Sequence, residues 1–189
     1  MSGSDFRIYA GKRVLLTGHT GFKGGWLATW LTQLGADVTG YSLPPTTSPN
    51  LFQAARIASR VRSVEGDIRD RDHLARVWRE ARPDVVFHLA AQPIVRESYR
   101  APLETIQTNV IGTSNMLETA RETANPVALL LVTSDKCYEN KEWLFGYRET
   151  DRLGGRAFEE DQQDRDEDCR GDEAARDRLA PGRRRIHFR

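Results

Sequence analysis

The residues best suited to chemistry form a polar triplet in the second half of the chain, Ser134-Asp135-Lys136. The triplet follows the most apolar run of the sequence, residues 128–132. A hydroxyl, an acid and an amine in succession could bind a substrate hydroxyl, donate a proton and accept one. The alternative is a surface turn closed by an Asp–Lys ion pair, which we disfavour directly after a buried strand. The adjacent Cys137 lacks an obvious histidine partner, so we expect a small buried residue and no nucleophile.

A second candidate site is a glycine pattern of period three near the N-terminus. The pattern follows a short apolar run and precedes a helical one, and glycines there let a diphosphate approach the free N–H groups of the helix N-terminus. The alternative is a tight turn that only packs the helix on the sheet. We favour a dinucleotide site, with these candidate cofactor-binding residues: Gly18, His19, Thr20, Gly21, Phe22, Lys23 and Gly24.

Further cofactor contacts are predicted after the third and fourth apolar runs. Asp67 and Ile68 could contact the adenine, whereas Asp67 could equally cap a turn, and the sequence leaves both alternatives open. The small residues of the segment Leu89, Ala90 and Ala91 would let a cofactor lie close to the backbone, or would simply pack tightly. The preceding histidine, His88, is expected to be a buried structural residue and not a base.

These candidate sites must be positioned by alternating strands and helices. Short apolar runs predict strands at 12–17, 37–43, 61–64, 85–87 and 128–132, and helical spacing predicts helices that include 26–34, 74–81 and 102–123. The alternation indicates an α/β fold with a Rossmann-like, doubly wound parallel sheet, in which ligands bind beyond the carboxyl ends of the strands. The second strand ends without an acid to bind a ribose, which leaves NAD or NADP open.

Composition excludes several classes of protein. The 28 Lys+Arg nearly cancel the 27 Asp+Glu, so a uniformly basic nucleic-acid binder is excluded. No apolar run approaches the ~20 residues of a membrane span, and two cysteines cannot build a disulfide framework. We therefore expect a cytoplasmic protein without a metal site, a membrane or a nucleic acid as partner.

The last part of the chain differs from the rest. Of the 34 residues in 156–189, nine are Arg and ten are Asp or Glu, and apolar residues are few. Such a composition does not bury enough apolar surface to offset the entropy of ordering. We therefore expect a partial nucleotide-binding domain over residues 8–155 and a charged tail over 156–189 that is disordered or out of frame.

Four motifs resemble one known family, the extended short-chain dehydrogenase/reductases that include the NAD-dependent sugar-nucleotide epimerases and dehydratases. The motifs occupy residues 17–24, 88–93, 109–113 and 133–140. The sequences of these motifs are most similar to those of the dehydratases that act on CDP-glucose. The resemblance extends from about residue 8 to Gly155. The resemblance implies bound NAD, a CDP-glucose substrate and a homo-oligomeric family, although the state of this chain stays open.

The resemblance also implies roles for individual residues in a 4,6-dehydration. Ser134 would hold the oxygen at C4 of the sugar, Asp135 would protonate the departing C6 hydroxyl, and Lys136 would remove the proton at C5. Asn109 would help to position the site against the cofactor.

One expected motif of this family is missing. Its members oxidise the sugar with a Tyr-x-x-x-Lys pair, but lysine occurs in this chain only at positions 12, 23, 136 and 141, none of them four residues after a tyrosine. We therefore expect impaired activity, with a reading-frame break near Gly155 as the hypothesis. The alternatives are an inactive dinucleotide-binding fragment and another NAD-dependent sugar-nucleotide epimerase or dehydratase.

Overall fold

The computed structural model describes residues 5–123, 127–134, 137–139 and 141–154 of the chain. Five parallel strands form one sheet in the order β3-β2-β1-β4-β5. Their bounds are β1 Arg13–Thr17, β2 Asp37–Ser42, β3 Arg62–Glu65, β4 Val85–His88 and β5 Ala128–Leu131. Each lies within two residues of its predicted bounds, and the predicted parallel α/β architecture is confirmed.

Helices connect the strands. They are α1 Phe22–Gln33, α2 Leu51–Ala54, α3 Arg71–Ala81, α4 Val95–Arg100, α5 Pro102–Ile106 and α6 Gly112–Glu122. Short 3-10 turns occupy Asp5–Tyr9 and Ile57–Ser59. The predicted helix over 102–123 is present as one continuous helical segment, in which a π-helical turn at Gln107–Ile111 separates α5 from α6. None of the helices that the structure describes is long and apolar enough to cross a membrane.

Both faces of the sheet carry a hydrophobic core, as a doubly wound fold requires. Successive side chains of β1 alternate between them: Val14 and Leu16 pack with α1, while Leu15 packs with Trp78 of α3 and Met116 of α6. Both clusters are buried, so β1 is covered by helices on its two sides.

The inward face of α1 differs from the prediction. The spacing of the large apolar residues predicts one face formed by Trp26, Leu27, Trp30, Leu31 and Leu34. In the structure the side chains of Trp26 and Trp30 are 58% and 46% exposed, while Gly24, Gly25 and Ala28 are buried with Leu31. Small residues face the sheet because the helix begins so close to the preceding loop that a Cβ at position 24 would overlap the Gly18 carbonyl.

The chain divides by its contacts into two compact units, Met1–Thr133 and Ser134–Arg189. The sheet and all its helices belong to the first. In the second, the described residues form a small loop in which Tyr138 and Leu153 make an isolated antiparallel bridge. The rings of Tyr138 and Tyr147 stack with centroids 5.4 Å apart, and Lys141 forms an ion pair with Glu139.

Candidate dinucleotide site at the ends of β1 and β4

The strand order places a topological switch point between β1 and β4. From β1 the chain adds β2 and β3 on one side of the sheet and then returns to add β4 and β5 on the other. In open parallel sheets the crevice at such a point receives the ligand. Thr17 and His88, the last residues of the two strands, are register partners. The glycine loop and the loop that begins at Leu89 therefore start side by side.

Gly18 begins the glycine loop in a conformation that only glycine adopts without strain. Its φ is +77°, and its N–H donates to the Tyr41 carbonyl oxygen of β2 at 3.0 Å. A Cβ on Gly18 would lie 2.8 Å from the backbone nitrogen of Ala90. Gly24 is equally constrained, because its Cβ would overlap the Gly18 carbonyl oxygen. The predicted glycine pattern thus allows two close backbone approaches at once.

The N-terminus of α1 is accessible and lacks a negative side chain. Gly21 is its N-cap and makes no side-chain cap, and the first turn contains Lys23 and no acidic residue. Residues 21–23 are all exposed. Backbone N–H groups and the helix dipole make this end attractive to an anion, and Lys23 adds positive charge. The loop therefore fits the diphosphate of a dinucleotide.

Two other loop residues use their side chains as anchors. The ring of His19 is fully buried over Gly40, and its Nε2 lies 2.7 Å from Ser63 Oγ. Burial lowers the pKa of His19 to about 4. Thr20 Oγ1 donates to the Leu43 carbonyl oxygen at 2.8 Å. These side chains bind the loop to Ser63 of β3 and to the end of β2. The partners Ser63 and Gly40 belong to no motif that could be recognised in the sequence.

The geometry at Asp67 and Ile68 shows the contacts expected for the structural alternative, while the cofactor contact stays a prediction. The Asp67 carboxylate accepts the Arg69 backbone N–H at 2.9 Å and also its guanidinium, which holds the pKa of Asp67 below its ordinary value. Asp67 therefore caps a turn. The side chain of Ile68 is only 5% exposed and packs beneath Gly112, whose Cβ would lie 2.6 Å from Ile68 Cγ2.

The predicted segment after β4 lies beside the glycine loop and is tied to the helical region. The N–H groups of Leu89 and Ala90 each donate to Thr17 Oγ1 at 3.1 Å. Asn109 Oδ1 accepts the Gln92 N–H at 2.8 Å, and Asn109 Nδ2 donates to the Gln92 carbonyl oxygen at 3.0 Å. Ala91 lies between these attachments and is exposed. The structure thus brings the segment 89–91, Asn109 and Gly18 to one end of the sheet.

The predicted catalytic triplet is described only in part. Ser134 is exposed and belongs to the second unit, and Asp135 and Lys136 lie outside the described residues. Cys137 is exposed, so the expectation of a buried cysteine was wrong. Among the described residues, no group of three or more His, Cys, Asp or Glu could hold a metal ion.

A parallel sheet in the order 3-2-1-4-5, with a glycine loop joining β1 to α1, defines a Rossmann-type dinucleotide-binding protein. Within that class, residues 15–156 match the family model for GDP-mannose 4,6 dehydratase, and the chain belongs to this family. The match ends beside Gly155, where the resemblance noted in the sequence stops.

Curated relatives and solved structures agree with this assignment. A CDP-glucose 4,6-dehydratase of Salmonella typhimurium is 51% identical over 151 residues, which are 80% of this chain and 42% of the relative. A dTDP-glucose 4,6-dehydratase of Neisseria meningitidis serogroup B is 37% identical, over 58% of this chain and 32% of the relative. The chain therefore spans less than half the length of these two relatives.

The similar structures include epimerases with bound NAD. A UDP-glucose-4-epimerase from Stenotrophomonas maltophila, with bound NAD and formylated UDP-arabinopyranose, gives a TM-score of 0.67 at 26% identity and covers 85% of this chain and 50% of that one. A UDP-glucose 4-epimerase from Bifidobacterium longum, in complex with NAD+ and UDP, gives 0.64 at 26% identity and covers 83% and 49%.

Proposed function

We propose that residues 8–155 are the NAD-binding part of a sugar-nucleotide 4,6-dehydratase that converts CDP-glucose to CDP-4-keto-6-deoxyglucose and water. The observation that carries the proposal is the cradle formed by Gly18 and Gly24, in which side chains would collide with backbone on both sides. The 51% identity to a CDP-glucose 4,6-dehydratase supports the substrate.

The residues at the switch point fit NAD, the cofactor bound in the two epimerases. The exposed start of α1 at residues 21–23 would receive the diphosphate, and the segment 89–91 would lie against the rest of the dinucleotide. When bound, NAD supplies a reversible hydride acceptor. The protein's own part is to bind the diphosphate, to keep the two loops at a fixed separation and to exclude side chains from the crevice.

The polar triplet supplies the proton transfers in this proposal. Ser134 binds the hydroxyl at C4 of the sugar, Asp135 gives a proton to the C6 hydroxyl as it leaves, and Lys136 takes the proton from C5. Removal of the C5 proton and loss of the C6 hydroxyl together expel one water. Support comes from the position of the triplet, three residues after β5, and from the family.

A second candidate function is an inactive dinucleotide-binding fragment. The specific observation in its favour is that no tyrosine of the sequence is followed by lysine four residues later. Without that pair the C4 hydroxyl lacks its expected general base, while the nucleotide cradle is unaffected. The two candidates therefore differ in turnover and agree in NAD binding.

The test measures both properties on the full chain. Calorimetry with NAD is expected to show binding by the unmodified chain and a loss of at least about tenfold in affinity for Gly18→Ala, because the added methyl meets Ala90 and strains a positive φ. Gly146→Ala is the matched control, since a Cβ there meets nothing within 4 Å.

Incubation with CDP-glucose and NAD then separates the candidates. Formation of the 4-keto product supports the dehydratase and rejects the inactive fragment. NAD binding without product supports the fragment. Absence of NAD binding by the unmodified chain, or equal binding by the Gly18→Ala and Gly146→Ala variants, refutes the proposed cradle.

A further inference from the structure

The ends of β1 and β4 share a continuous hydrogen-bond chain that the proposed function does not use. We call it the His88 chain; it consists of Thr17, His88, Thr113 and Asn109. Thr17 Oγ1 lies 2.8 Å from His88 Nδ1, His88 Nε2 lies 3.1 Å from Thr113 Oγ1, and Thr113 Oγ1 lies 2.7 Å from the Asn109 carbonyl oxygen. Thr17 and His88 are 0% and 2% exposed, so water does not replace these partners.

Counting donors and acceptors determines which atom donates in each hydrogen bond of the His88 chain. Thr17 Oγ1 already accepts the N–H groups of Leu89 and Ala90, the former shared with the Thr17 carbonyl oxygen at 3.3 Å. Its own O–H must therefore donate to His88 Nδ1, which leaves the imidazole proton on Nε2. Nε2–H donates to Thr113 Oγ1, whose O–H donates to the Asn109 carbonyl oxygen.

The opposite direction would leave the buried hydroxyl of Thr17 without an acceptor. With the proton on Nδ1, Thr17 Oγ1 would face three donors and its O–H would have no acceptor. Thr113 would then donate to Nε2 and would give up its bond to the Asn109 carbonyl oxygen. Unpaired buried polar groups are costly, so one neutral tautomer is strongly preferred. Burial also lowers the pKa of His88 to about 4, which keeps the ring neutral.

The His88 chain connects the three segments that border the proposed crevice. At one end Thr17 holds the start of the 89–92 loop against β1. At the other end the chain reaches Asn109 in the π-helical turn, and the side chain of Asn109 holds Gln92, the last residue of the same loop. The loop is therefore attached at both ends to groups that His88 links.

We propose that His88 is a positioning residue for the dinucleotide crevice: as a neutral imidazole protonated on Nε2, it holds the 89–92 loop at the spacing from Gly18 that the cofactor requires. The proposal rests on the proposed function for the identity of the ligand, NAD. The hydrogen-bond geometry of His88 does not depend on that function. His88 touches no reacting atom and acts through the loop.

Two measurements on the full chain test the geometry without any ligand. Nitrogen-15 NMR at pH 7 is expected to show His88 protonated on Nε2 only. Amide exchange at Ala90 is expected to be about tenfold faster in Thr17→Val than in Thr17→Ser, which retains the hydroxyl. A proton on Nδ1, or equal exchange in the two variants, overturns the proposal.

A third measurement tests the consequence for the cofactor. Thr113→Val removes the acceptor for Nε2–H and is expected to weaken NAD binding about fivefold, whereas Thr113→Ser restores it. Thr119→Val is the matched control, because Thr119 also bonds a carbonyl four residues back on α6 but lies outside the His88 chain. Equal NAD affinity in the Thr113→Val and Thr119→Val variants overturns the positioning role.

Failure of the proposed function is distinguishable from failure of this proposal. If the unmodified protein binds no NAD, both the dinucleotide function and the positioning role are refuted. The tautomer and exchange measurements then still show whether the hydrogen bonds of the His88 chain exist. If NAD binds and the Thr113 variants do not differ, only the positioning role is refuted.

Discussion

Lowering the pH from 7 to 5 is expected to destabilise the folded chain, because two histidines are buried in neutral form. Burial lowers the pKa of both His19 and His88 to about 4, whereas an unfolded histidine titrates near its ordinary value of 6.5. As the pH falls below 6.5, the two histidines become protonated in the unfolded chain but stay neutral in the folded chain. The free energy of unfolding therefore decreases towards acid until the pH approaches 4.

The magnitude follows from the two pKa values. Between pH 7 and pH 5 each histidine contributes a loss of about 1.8 kcal/mol, so the pair contributes about 4 kcal/mol. The environments explain the cost of a charge: His19 Nδ1 has no hydrogen-bond partner among the described residues, and His88 Nδ1 faces the hydroxyl proton of Thr17. Against a typical domain stability of about 5–15 kcal/mol, this loss is large.

Urea unfolding of the full chain at pH 7, 6 and 5 measures the effect. Carboxylates whose pKa is lowered by arginine partners, such as Asp67 and Asp84, lose their contribution mainly below this window. His88→Asn and His19→Asn are each expected to remove about half of the pH dependence, and the double variant nearly all of it. A free energy of unfolding that is the same at pH 7 and pH 5 in the unmodified chain would refute the reasoning.

Three further predictions follow from single contacts. Gly24→Ala is expected to destabilise the chain by several kcal/mol in urea, because its Cβ overlaps backbone, whereas Gly146→Ala changes it by less than about 0.5 kcal/mol; equal effects would contradict the packing argument. Asp70→Ala should cost about 1 kcal/mol of thermal stability, since its carboxylate caps α3 by accepting from the backbone N–H three residues later; an unchanged melting temperature would contradict that cap. Leu103 and Val110 are 67% and 56% exposed in a run of exposed apolar residues, so sedimentation should detect concentration-dependent self-association that Leu103→Glu and Val110→Glu reduce; a strictly monomeric chain would contradict this.

The strands and the glycine loop could be predicted because their signals are local. Apolar runs bounded by turn residues identify each strand, and a glycine at every third position identifies the loop before α1. The inward face of α1 was predicted only in part: Leu27 and Leu31 pack into the core, whereas Trp26 and Trp30 are exposed although large apolar residues are normally buried. Here the helix approaches the loop so closely that Gly24 has no room for a side chain, Gly25 packs against Ile57 and Leu51, and Trp26 is left outside.

The choice between alternatives at single side chains required long-range contacts. The sequence allowed a cofactor contact or a turn cap for Asp67; the position of Arg69 shows the turn contact, and the cofactor contact stays a prediction. The cap of α3 is likewise identified only by a contact in the folded chain, the bond from the His73 N–H to the Asp70 carboxylate. His88 was expected to be a buried structural residue. Its hydrogen-bond partner Thr17 is 71 positions away in the sequence, and no local sequence pattern predicts such a pair.

The amino-acid sequence alone therefore determined the class of fold, the glycine cradle and the family resemblance, since these depend on periodicity and on residues adjacent in the chain. Only the tertiary structure decided which polar side chains anchor the loops at the ends of β1 and β4. The physical reason is that a buried polar group must find a partner wherever the folded chain provides one, and parallel strands bring together residues that are far apart in sequence.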